Sequence, residues 1–148
     1  MGVPTHAELE YGPVFREAAV QIEKTTAYIG PADGRFEEIF RQAVKVVTGE
    51  DIGEQRSFKY LNKEDYEYLY EQLSASGHRL LGYPYFTQDD PRPADSPYDT
   101  LLFQMDSEIS DGVDYTMWGD MGVGNFFINL DDLKKCDFSR VLYTWDCC

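Results

Sequence analysis

The spacing of apolar and polar positions divides the chain into a helical first half and a strand-rich second half. Phe36, Ile39, Phe40, Ala43, Val44 and Val47 recur at helical intervals and form one apolar stripe. Asp33 is placed to cap this helix, Glu37 and Glu38 suit the positive end of its dipole, and Gly49 supplies the stop. A second helix is expected after Asn62, with Glu64 and Asp65 in its first turn. Tyr66, Leu69, Tyr70 and Leu73 form its inward face, and Gly77 ends it. The polar stretch from Gly49 to Lys59 reads as a surface connection. From Phe15 to Ile29 two readings stay open, because Val14, Ala18, Ala19 and Ile22 fit a helix while Val20 and Ile22 alternate with Gln21 and Glu23.

Beyond Gly77 the pattern turns to strands. Arg79 to Thr87 reads as extended, interrupted by Gly82 and Pro84, and Gln88 to Pro97 as a loop. Thr100 to Asp106 alternates, with Leu101, Phe103 and Met105 on one side. Tyr115 to Trp118 and Asn125 to Ile128 are short strands joined by a Gly-rich hairpin turn. Asp131 to Lys135 is one helical turn, and Arg140 to Asp146 a last strand. The fold class predicted is α+β: two N-terminal helices followed by about five to six strands in a mostly antiparallel or mixed sheet. A single domain over residues 1–148 is expected, with a loosely ordered lead-in over 1–14.

Eleven Tyr, nine Phe and two Trp mean that rings build much of the core and carry hydroxyls to its surface. The net charge of −14, from 27 acidic and 13 basic side chains, argues against nucleic acid and anionic membranes and for a basic partner. The opening Met1-Gly2-Val3-Pro4-Thr5-His6 has neither a basic nor an apolar signal region, and no stretch has the length of a membrane span. With Cys136, Cys147 and Cys148 unpaired by spacing, a cytoplasmic protein with reduced thiols is the expectation.

Several segments together carry a family resemblance. Gly82-Tyr83-Pro84-Tyr85-Phe86-Thr87-Gln88-Asp89-Asp90-Pro91-Arg92 has the form G-x-P-x-F-x-Q-x-D-P-R. Leu101 to Asp106, Trp118 to Ile128, Asp131-Asp132-Leu133 and Tyr143 to Cys148 follow in order, and Asp33-Gly34-Arg35-Phe36 gives D-x-R-F upstream. The sequence from about residue 20 onward resembles the C-terminal part of YwqG-like proteins, an uncharacterised bacterial family. The resemblance implies an α+β domain with a mixed or antiparallel sheet, tips Val20 to Ile29 toward a strand, and brings no catalytic residues. One departure is that Leu81 stands where many members have the first of two glycines.

No cofactor, metal site or catalytic set is assigned. Gly119 to Gly124 reverses the order of a dinucleotide fingerprint and opens no helix. Asp106 to Gly112 lacks the Gly and Glu that a calcium loop needs at its sixth and twelfth positions. His78 has only His6 for company, and Cys136 lacks a base. The candidate binding residues are Gln88, Trp118, Asp120, Tyr143, Trp145 and Asp146, where aromatic rings and carboxylates adjoin. The function expected is protein–protein binding, in concrete form an immunity or inhibitor protein against a basic toxin, with self-association through an exposed sheet edge as a further expectation. The alternative is a small-ligand binder or hydrolase-like enzyme whose aromatic and acidic residues share one pocket.

Overall fold

The computed structural model describes residues 12–147. Its elements run α1 (Phe36–Thr48), α2 (Ser57–Tyr60), α3 (Lys63–Gln72), β1 (Arg79–Leu80), β2 (Thr100–Asp106), β3 (Glu108–Ser110), β4 (Val113–Thr116), β5 (Val123–Ile128), α4 (Leu130–Lys134) and β6 (Leu142–Asp146). The class is α+β, with every strand pair antiparallel: a four-stranded sheet in the order β1-β2-β5-β6 and a separate β3-β4 ribbon. Four helices are seen among the described residues where two were expected at the N-terminus. Only α1 lies in the first third of the chain, while the single-turn α2 precedes α3 mid-chain.

Local chemistry accounts for the element ends. Asn62 accepts the Asp65 N–H at 2.9 Å and caps α3, and Gly49 closes α1 at φ 78°. Asp33, expected as the α1 cap, instead takes the Arg35 backbone N–H and its guanidinium, and α1 begins after Arg35. Helix α3 ends at Leu73 rather than at Gly77, whose N–H is drawn to Asp106 Oδ2 at 2.6 Å. Its Tyr66, Leu69 and Leu73 are half-buried and Tyr70 is exposed. The strand expected over Val20 to Ile29 is absent; that stretch has no pairing, and Val20 and Ile22 are exposed. Of the lead-in, residues 1–11 lie outside the described residues, while Val14 bridges Thr116.

A bulge between Leu101 and Phe103 rearranges β2. It sends Leu101 and Gln104 to the inner face and Phe103 and Met105 to the outer, so the three apolar residues expected on one side are split. The inner face packs Leu101 and Phe127 against Phe86, with Ala32, Tyr98 and Leu142 around them. Phe86 belongs to no strand. It lies in the segment after β1, which crosses the inner face because Leu81 and Gly82 both adopt positive φ (62° and 83°) and turn the chain out of the sheet.

Leu81 is therefore strained where a glycine is not, by about 1 kcal/mol for a left-handed non-glycine residue. Leu81→Gly should raise stability by roughly that amount in urea denaturation, less the small burial its half-exposed side chain loses. A neutral or destabilising result would mean that the Leu side chain, rather than the backbone, governs this corner.

Candidate functional site

The sheet's two faces separate the candidate residues. Along β6, Leu142 packs into the inner core, so Asp146, of the same parity, faces inward. Asp146 Oδ2 accepts from Thr87 Oγ1 and from the Gln88 N–H, both at 2.8 Å. Gln88 then donates its side-chain amide to the Cys147 carbonyl at 2.7 Å. Gln88 and Asp146 thus fasten the inner segment to the end of β6. The second Asp146 oxygen is buried with no hydrogen-bond partner among the described residues.

Tyr143 and Trp145 point the other way. Leu80, Phe103, Phe126 and Tyr143 occupy paired positions on β1, β2, β5 and β6 and make one row across the outer face. Phe103 stacks on Phe126 with ring centres 5.9 Å apart, and Phe126 meets Tyr143 at 5.1 Å. Burial against these rings raises the Tyr143 phenol above its usual value. Trp118 packs on Tyr143 at 5.8 Å and covers Gly124, where a Cβ would come within 2.5 Å of the indole. The Trp118 indole N–H is buried without a described acceptor. Leu80, Tyr143 and Trp145 stay 56, 46 and 52 % exposed.

Trp118 is set by the connection from β4 to β5. That connection was expected as a hairpin turn, but β4 pairs with β3 and β5 with β2 and β6, so it links the ribbon to the sheet. Ser107 holds it: its hydroxyl donates to Gly122 O at 2.7 Å and accepts the Trp118 N–H at 2.9 Å. The third glycine of the run lies inside β5 as the seat for the indole. The hairpin proper is β3–β4, turned by Asp111 and Gly112 at φ 52° and 73°. Asp120 projects exposed from the connection, two residues beyond Trp118.

The six candidates therefore form an inner pair, Gln88 with Asp146, and an outer group around Trp118, Tyr143 and Trp145, and they do not gather in one cleft. None of them lines either of two small hollows. One, of about 10 Å³, lies beneath Pro84–Phe86 and has room only for water. The other, of about 150 Å³, is bounded by Pro97, Tyr98, Asn129, Asp132 and Arg140, and Arg140 donates to both Asp132 oxygens at 3.0 and 2.7 Å. Among the described residues no three His, Cys, Asp or Glu side chains are grouped to hold a metal ion. His78 accepts the Asp106 N–H at Nδ1 (3.1 Å) and lies 3.7 Å from Glu108. Nor is any helix of the described residues long and apolar enough to cross a membrane.

The residues that carried the family resemblance do structural work. Asp90 and Arg92, 6 and 5 % exposed, form a two-toothed ion pair (2.9 and 2.7 Å) whose guanidinium lies 4.0 Å over the Phe127 ring. Asp33 and Arg35 repeat the same two-residue geometry, at 2.9 and 2.6 Å, with Arg35 over Tyr83. The two pairs are joined, since Gly34 donates to Asp90 and the Asp90 N–H to Ala32 O. Sequence reading passed over Ser107, Phe103 and Phe126 as site residues. The apolar alternation of β2 and the adjacent Phe126 and Phe127 of β5 were the available signal, obscured by the bulge.

No curated protein matches the sequence. The model of the family described as "Domain of unknown function (DUF1963)" matches residues 4–147, and the chain belongs to that family.

Proposed function

We propose that this is a non-catalytic binding domain that presents the aromatic outer face of its sheet to a basic protein. The supporting observation is the row Leu80–Phe103–Phe126–Tyr143, flanked by Trp145 and Trp118, with half of Leu80, Tyr143 and Trp145 in water. Tyrosine and tryptophan are the side chains that anchor interfaces, because each buries a large area at small entropic cost. The net charge of −14 selects a cationic partner and speeds its approach. In its concrete form the chain is a bacterial cytoplasmic immunity or inhibitor protein that covers a basic toxin. Its place within the family is beside the YwqG-like proteins, whose motif residues form its internal ion pairs and turns.

The small-ligand alternative gains no support from residues that lie on opposite faces of a sheet. The test is affinity capture from the native host with the full chain and with a Tyr143→Ala/Trp145→Ala double variant. The expected result is a basic protein held only by the unaltered chain, released by salt, and bound about thirtyfold or more weakly by the variant. Equal capture by both chains, or none by either, would remove the outer face as the binding site.

A further inference from the structure

Residues 16–26 form an unusual strap. The chain is tied at one end, where Phe15 N–H donates to Tyr115 O at 2.9 Å and Met117 N–H to Pro13 O at 2.7 Å. At the other end Ile29 and Gly30 are buried, and the Gly30 carbonyl accepts the Asp33 N–H. From residue 17 to residue 30 there is no bend or turn. No backbone group of residues 16–26 is hydrogen-bonded to another described residue, and the sole side-chain bond is Gln21 to Glu23. Val20, Ile22, Thr25 and Thr26 are strand formers, and Val20 and Ile22, on the same side of an extended chain, are 81 and 74 % exposed. An extended segment whose donors and acceptors are unpaired among the described residues, and which has an apolar side, is a template for another strand.

Charge identifies the occupant. Residues 12–50 carry five Lys or Arg against six Asp or Glu, whereas the whole chain carries 13 against 27. This part of the molecule is near neutral, so like charges at the strap itself set little repulsion against a second copy. The strap is also self-complementary. Antiparallel pairing about a two-fold axis at Gln21 places Val20 opposite Ile22, Ala19 opposite Glu23, Ala18 opposite Lys24 and Glu17 opposite Thr25. No like charges face one another, and the four aliphatic side chains of the two copies meet on one side.

We infer that residues 16–26 are a homodimerisation strand that pairs antiparallel with the same segment of a second copy, centred on Gln21. This surface is separate from the aromatic face, and each stands or falls without the other.

Sedimentation of the full chain over a concentration series tests it. The expected result is a reversible dimer, weakened about tenfold or more by Gln21→Pro, which removes a strand donor and, within the chain, only the exposed Gln21–Glu23 side-chain bond, and by Val20→Glu. Tyr143→Ala/Trp145→Ala should leave dimerisation unchanged. Gln21→Cys should form, under mild oxidation, a disulfide whose digested peptide is linked to itself. A chain that stays monomeric at high micromolar concentration overturns the inference. So does a dimer indifferent to both strap variants, or one without the 21–21 link.

Discussion

Asp90→Ala or Arg92→Leu should each cost the fold about 3–5 kcal/mol, because either leaves a buried partner charge without its counter-ion. For a chain of this size that lowers Tm by roughly 6–20 °C, readable by calorimetry or by loss of far-ultraviolet ellipticity. The loss goes beyond one ion pair. Asp90 also accepts the Arg92 and Gly34 N–H groups, and Arg92 also donates to Tyr98 O at 3.0 Å while lying on the Phe127 ring. The double variant should cost less than the two single losses together, by about 1–3 kcal/mol, since both singles remove the same contact.

Acidity gives the same site an independent readout. Burial pushes the Asp90 carboxyl up, but hydrogen bonds from the Arg92 side chain and backbone, the guanidinium charge and the Gly34 N–H outweigh it and hold the group below the usual carboxylate range. A carboxyl depressed on folding stabilises above its unfolded value of about 3.9, and that contribution disappears as pH falls through the folded value. The gap between the wild-type chain and Asp90→Asn should therefore be level above about pH 5 and narrow below pH 4. A gap that stays constant down to pH 2 would show that shape, and not charge, is what Asp90 supplies.

Local signals were readable where they act locally. The β2 bounds, the Asn62 cap and the Gly49 stop each depend on residues within a few positions, and the structure has them where the pattern put them. The bulge in β2 was not readable. It is set by pairing with β5, and a shift of one residue reverses which side chains face inward. The pattern of Val20 to Ile29 left helix and strand open, and the family resemblance tipped it toward a strand that finds no neighbour to pair with among the described residues. For the candidate site, the residue types were legible and their faces were not. Trp145 and Asp146 are adjacent in sequence, and adjacency in a strand means opposite sides. The motif positions were equally visible, but their work as ion pairs on aromatic rings depends on Phe127, far along the chain.

Gln104→Leu should be the second large loss, about 2–5 kcal/mol, although the bulge turns Gln104 to the core face, where an apolar residue would be expected. Gln104 is wholly buried, and its amide does what a neighbouring strand would do. Oε1 accepts the Tyr85 N–H at 2.7 Å, and Nε2 donates to Ala75 O at 2.9 Å and Gly77 O at 2.7 Å. Its registered partner Asn125 donates to Tyr85 O at 2.8 Å, so one residue is clasped from two strands and Phe86 is delivered to the core. Leucine supplies volume but none of these bonds. The Tyr85 amide should exchange with deuterium faster in the variant, by more than the global loss of stability explains. Gln104→Glu separates the bonds from the burial. Its carboxylate keeps the acceptor for Tyr85 but sets a negative charge against two carbonyls, so this variant should be the least stable at pH 7 and recover as pH falls toward 5 and the carboxyl gains a proton. That is the opposite slope to Asp90, because here the folded environment raises the carboxyl instead of lowering it. A Gln104→Leu variant within about 1 kcal/mol of wild type would mean that packing alone, led by Phe86 on Phe127, holds the inner segment to the sheet.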